Sequence, residues 1–115
     1  SKIVQTVEFP YPGIAVAHGE NSAVYDSVLI AQTADILLTM KDIGASFVIA
    51  HRSDGLIGIS ARSLGEVNVQ LIMEQLGGGG HLTNAATQLV ASTIDEAKMR
   101  LVAAITEIVE GSQQS

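Results

Sequence analysis

Four consecutive glycines, Gly77, Gly78, Gly79 and Gly80, closed by His81, constrain this chain more than any other stretch. A run of that composition normally belongs in a linker between domains. Here it lies inside a well-patterned stretch, and apolar residues resume at once with Leu82, Ala85, Ala86 and Leu89. Without Cβ atoms the backbone is free to take positive φ and to approach a ligand closely. Successive exposed N–H groups in such a turn make a concave anion site, and His81 adds a donor at its end. The competing reading is a helix stop with Gly77 just past the last turn, followed by a loose loop. A helix stop uses one glycine and leaves the other three without a reason.

The 115 residues fit one domain with a real core. Two Phe, two Tyr and no Trp in a chain that is 47% apolar make that core aliphatic. The absence of cysteine excludes disulfides and thiolate catalysis, and suits a cytoplasmic protein. A net charge of −6 argues against broad duplex DNA binding, which runs on Lys and Arg, but leaves room for a local cationic pocket. No apolar run reaches the length of a membrane span, and no basic-then-apolar leader is present. The chain begins at Ser1 without Met, which predicts a fragment excised from a larger protein. Residues 1–110 are expected to form a single domain and residues 111–115 a flexible tail.

Residues 3–8 pattern as a weak strand broken by Pro10 and Pro12, and residues 14–18 as a firm one. Asn21 or Ser22 is placed to cap a helix carrying Leu29, Ile30, Thr33, Ile36, Leu37 and Met40 at helical spacing, with Gly44 as its stop. Residues 47–50 and 56–61 are apolar runs around Asp54-Gly55, a hairpin signal. Gly58 inside the second run implies a bulge or a close backbone approach. That strand delivers Ser60, Ala61, Arg62 and Ser63 to its far end. Asn68 caps a helix reaching Leu76, and the glycines follow. Residues 82–86 are expected as a short helical turn and residues 88–91 as a strand. Thr93 to Glu96 is a capping box opening a last helix. Elements of both kinds alternate, which predicts a mixed α/β (α+β) fold, with a mixed sheet of about five strands and helices packed against it.

His18, His51 and His81 lie about thirty residues apart, far from the close spacing of a zinc site. Ser60 and Ser63 are not in a Gly-x-Ser-x-Gly elbow. The glycine run lacks the Gly-Lys-Ser/Thr ending of a P-loop, and it follows a helix where a dinucleotide fold has a strand. What remains is a binding constellation. Arg62 is a fork-shaped cation suited to phosphate, although a surface ion pair is the alternative. Thr83 and Asn84 are placed either to cap or to bind. His51 and Arg52 flank the hairpin turn and are expected to be solvated.

Taken together, Ala61-Arg62-Ser63, Val67-Asn68-Val69, Gly77 to His81 and Ala85-Ala86 resemble the DHH-associated domain, the C-terminal domain of DHH-family phosphoesterases. The commonest form of the motif has two residues between the His and the Ala pair, followed by Gly. Here Leu82-Thr83-Asn84 intervenes and Thr87 follows, which resembles the membrane-anchored cyclic-di-AMP phosphodiesterases. The resemblance implies a parent anchored in the cell membrane, with this domain in the cytosol, that opens cyclic di-AMP to pApA. Two manganese ions would sit in a separate DHH domain of the same chain, with no cofactor held by this fragment and no activity in it alone. Arg62, Ser63, Gly78, Gly79, Gly80, His81, Thr83 and Asn84 would grip the substrate, and the parent is a candidate homodimer. A nano-RNA or oligonucleotide exonuclease and a non-catalytic RNA-binding module are the alternatives.

Overall fold

The computed structural model describes residues 2–114. They form six strands in one sheet: β1 (Glu8–Tyr11), β2 (Ile14–His18), β3 (Ala45–His51), β4 (Ile57–Ser63), β5 (Gly79–His81) and β6 (Asn84–Leu89). The spatial order is β1-β2-β3-β4-β6-β5. Strands β2 and β3 are parallel, and every other neighbouring pair is antiparallel. A parallel pair cannot be closed by a tight turn and needs a crossover. Helix α1 (Ser27–Leu38) supplies it. Helices α2 (Val69–Gln75) and α3 (Ile94–Gln114) complete the chain.

Alternation along β3 divides the interior in two. Phe47 and Ile49 join Ile59, Ile72, Leu101 and Ile105 in a core under α2 and α3. Val48 and Ala50 face the other way, with Ala17, Ile30, Ala34 and Leu37, under α1. Successive side chains of a strand point to opposite faces, so a strand covered on both sides is apolar throughout. The α1 face is built from small residues, and α1 comes close enough for Ser46 Oγ to donate to Ala34 O at 2.7 Å.

Several local expectations change. The weak strand over residues 3–8 is instead a 3-10 turn at Val4–Thr6, and β1 runs on through Pro10. An edge strand tolerates the missing N–H of proline. The cap of α1 is Asp26, whose carboxylate accepts from Val28 N at 2.7 Å, and the helix ends at Leu38, before Gly44. The last helix continues past residue 110 to Gln114, where a flexible tail was expected. A single Gly111 costs a helix about 1 kcal/mol. Propagation adds one bond per residue, and Ile108 and Val109 still pack on the core below it. Ser115 lies outside the described residues.

The capping expectations at α2 and α3 are met. Asn68 Oδ1 accepts from Leu71 N, and Thr93 Oγ1 from Glu96 N at 3.1 Å. Glu96 reaches back one residue further than the box predicts, to Ser92 N at 2.9 Å.

Candidate functional site

The glycine run is neither a loop nor an open nest of N–H groups. Gly77, at φ +83°, ends α2, and Gly78 N donates to Met73 O at 2.8 Å. Gly79, Gly80 and His81 then form edge strand β5, opposed to Ala86, Ala85 and Asn84 of β6. A Cβ on Gly78 would sit 2.2 Å from Ala86 O, and one on Gly80, at φ +145°, 2.5 Å from Ala85 Cα. Those two glycines let β5 lie on β6. Gly79 is different, because a Cβ there would meet nothing within 4 Å. The helical turn expected over residues 82–86 is therefore a hairpin. Its tip is stitched to the domain by Ser63 N donating to Thr83 O and Val69 N donating to Leu82 O.

Directly opposed residues on neighbouring antiparallel strands share a face. One row across the sheet runs His81–Asn84–Arg62–Ser46, and the next runs Gly79–Ala86–Ser60–Val48. Ser46 bonds to α1, so both rows lie on the α1 face. Helix α1 packs over β3 and β4, and on this face β6 and β5 carry no helix. The result is an uncovered lane. Its floor is Ser60, Ala86 and Gly79, Arg62 stands against α1, and Asn84 and His81 are exposed beside it. Among the sequence candidates, this face gathers Arg62, Gly79, His81 and Asn84.

Thr83 sits exposed at the hairpin tip, with its carbonyl committed to Ser63. Ser63 is not in the lane. It opposes Ala45, its side chain falls on the α2 and α3 face, and it is only 4% exposed. Its Oγ accepts from Gly65 N at 2.8 Å and shapes the turn after β4. Adjacent residues of one strand cannot share a face, and β4 continues to Ser63 where the sequence pattern ends the strand at residue 61.

The Arg62 guanidinium is held from two sides. Nε donates to Asp35 Oδ1 at 2.8 Å and Nη1 to its neighbour's carbonyl, Ala61 O, at 3.0 Å. The Arg62 side chain is 14% exposed and that of Asp35 60%. Water screens such a carboxylate, so the pair contributes at most about 1 kcal/mol to stability. Its larger effect is geometric, fixing the plane of a guanidinium whose Nη2 is unused among the described residues. A planar fork held in place is suited to a phosphate oxygen.

Two residues near the lane were not among the sequence candidates. Asp35 is one, since a polar position on a helix face gives no hint of its strand partner. Arg52 is the other. A Cβ on Gly58 would lie 2.9 Å from Arg52 Cδ, so the arginine stem crosses β4 at this glycine on the α1 face. Gly58 was the available signal, because a close approach was expected there, with backbone as the approaching group. His51 is not simply solvated either. It bonds Asn21 Oδ1 at 2.9 Å, and the same oxygen accepts from Ile94 N at 3.0 Å.

Comparison with known proteins bears on this arrangement. The family model described as the DHHA1 domain matches residues 13–111. A protein of Geobacillus thermodenitrificans named cyclic-di-AMP phosphodiesterase GdpP is 56% identical over 98% of this chain. A Listeria monocytogenes protein named cyclic-di-AMP phosphodiesterase PdeA is 52% identical over 96% of it. The chain spans 17% of the length of either relative. Among solved structures, an exopolyphosphatase-related protein of Bacteroides fragilis superposes with a TM-score of 0.77 at 21% identity, covering 92% of this chain and 32% of its own. The C-Ala domain of alanyl-tRNA synthetase from Aquifex aeolicus does so with a TM-score of 0.62 at 17% identity, covering 87% of this chain and 97% of its own. At those identities the two structures share the fold and nothing finer. With a family model spanning most of the sheet and all three helices, and relatives more than half identical along almost its whole length, the chain belongs to the DHHA1 domain family.

Proposed function

We propose that the lane beside α1 is the substrate-binding face of a phosphodiesterase that opens cyclic di-AMP to pApA, with hydrolysis carried out by a separate DHH domain of the same parent. The observation that carries this reading is the pinned Arg62 guanidinium above a floor of small residues on an otherwise acidic domain. Arg62 Nη2 would take a phosphate oxygen. Asn84 and His81 offer donors to phosphate or sugar oxygen, and Gly79 and Ala86 leave room for a flat base to lie on the strands. The named activity of two relatives more than half identical to this chain supports the choice of an adenine dinucleotide.

The two manganese ions implied by the family resemblance need a cluster of Asp and His ligands. No group of three or more His, Asp or Glu side chains able to hold a metal forms among the described residues. The metal ions are accordingly assigned to the separate DHH domain, and the part proposed for this chain is to bind and orient the substrate. No helix among the described residues is long and apolar enough to cross a membrane. The membrane anchor is assigned to the parent, on the strength of the resemblance.

The test is an NMR titration of the isotope-labelled chain with cyclic di-AMP, pApA and an unrelated dinucleotide. Amide shifts should concentrate on Arg62, Asn84, Ala86, Gly79 and His81, spare Ser63, and be strongest for the adenine ligands. Shifts confined to the α2 and α3 face, or none at ligand saturation, would refute the assignment.

A further inference from the structure

Arg52 enters the α1 face at the opposite end of the same strip of β4 from Arg62. Its Cγ and Cδ pack against the glycine that opposes Gln88 of β6 and Ala50 of β3. Gly58, Ser60 and Arg62 are alternate residues of β4 and share this face, so the crossing point lies about 13 Å along the strand from Arg62. The head group is tethered as Arg62's is. Arg52 Nη2 donates to Asp54 Oδ2 at 2.9 Å, while Asp54 Oδ1 accepts from Leu56 N at 3.1 Å. Nε and Nη1 of Arg52 have no partner among the described residues, and the side chain is 29% exposed.

A surface arginine laid over a glycine and fixed by a carboxylate has lost most of the rotamer freedom it would forfeit on binding. Lys98 and Arg100 do not share this placement, since Lys98 pairs with Glu8 and Arg100 reaches Val90 O. Two pinned guanidinium groups thus stand at the two ends of one strip, with Ser60 and Ala86 between them and Gln88 beside the Arg52 end. One phosphate cannot reach both, whereas two phosphates separated by a nucleoside can.

We propose that Arg52 is a second anion-contacting residue of the lane, which takes a ligand carrying two phosphate groups, one toward Arg62 and one toward Arg52. The inference rests on the dinucleotide reading above and adds a residue and a ligand requirement to it.

The experiment compares AMP with cyclic di-AMP on the wild-type chain, Arg52→Gln and Arg62→Gln, by NMR titration. Spectra of the free variants show whether each replacement leaves the fold intact. Arg52→Gln should weaken cyclic di-AMP about tenfold and leave AMP unchanged, whereas Arg62→Gln should weaken both. Arg52→Lys, which keeps the charge without the fork, should fall between wild type and Arg52→Gln for cyclic di-AMP. If Arg62→Gln acts on both ligands and Arg52→Gln acts on neither, or on both equally, the Arg52 assignment is overturned and the lane stands as a single-phosphate site. If neither ligand moves the lane in the wild-type chain, both readings fall together.

Discussion

Alanine at Gly80 should cost this domain several kcal/mol, while alanine one residue earlier should cost nothing. At Gly80 two penalties add. A φ of +145° is open only to glycine, and forcing another residue into such a region costs about 1–3 kcal/mol. The new methyl would also lie 2.5 Å from Asn84 O and Ala85 Cα, which are backbone atoms of the paired strand and cannot swing aside. Overpacking of that kind costs a further ~1–3 kcal/mol. A total near 3–4 kcal/mol is a large share of the roughly 5–15 kcal/mol available to a domain. With a denaturant slope of about 2 kcal/mol/M in urea, a loss of 3 kcal/mol lowers the midpoint by about 1.5 M. Gly78→Ala carries only the steric part, through Ala86 O and Thr87, and should lose about 1–3 kcal/mol. Gly79→Ala meets open space in ordinary extended backbone, and should be neutral or gain up to about 1 kcal/mol by restricting the unfolded chain. Urea unfolding followed by circular dichroism measures all three. Equal losses at Gly79 and Gly80 would refute the division of the run into two packing glycines and one surface glycine.

Asn21→Ala removes the oxygen that joins His51 to the first turn of α3, and should cost about 1–2 kcal/mol, read as a Tm lower by about 5–10 °C. Asn21→Asp keeps an acceptor and should recover most of that loss. The Leu56 N–H, and then the Arg52 guanidinium, hold the Asp54 carboxyl below its ordinary value of 3.8. A depressed carboxylate contributes stability that is present above that value and is lost as pH falls through the folded pKa. The Leu56 amide should therefore shift in acid in a step whose midpoint lies below pH 3.8, and an NMR pH titration of Asp54→Asn should show no such step.

Where alternation and turn chemistry agree, the sequence already carries the fold. Strand β2, the Asp54-Gly55 hairpin and the Asn68 and Thr93 caps are each written in a few adjacent residues. Strands β5 and β6 are not. Four of the residues involved are glycine or alanine with no apolar rhythm, and only pairing with β4 alongside makes Asn84–Leu89 extended. Arg62 could be singled out because a cation suited to phosphate is recognisable by type. Its place in a lane depends on register across four strands, which no local window contains. The separation of Ser63 from Arg62 was legible in principle through the two-residue period of a strand, and was hidden by an error of two residues in where β4 ends. Asp35 and Arg52 acquire meaning only from partners 27 residues away and across a glycine, respectively.

Strand β4 gives its even-numbered residues to the lane and its odd-numbered residues to the larger core, so lane and interior are inherited as one object. Losing or gaining a single residue within it would bury the Arg62 guanidinium among aliphatic side chains and turn Ile59 and Ala61 outward. Descendants of this sequence can change length only where a strand has ended. The three residues between His81 and the Ala85-Ala86 pair, which straddle the turn into β6, are such a place. Variation in lineages of this domain should thus collect as altered hairpin tips around an unchanging pair of interleaved residue sets.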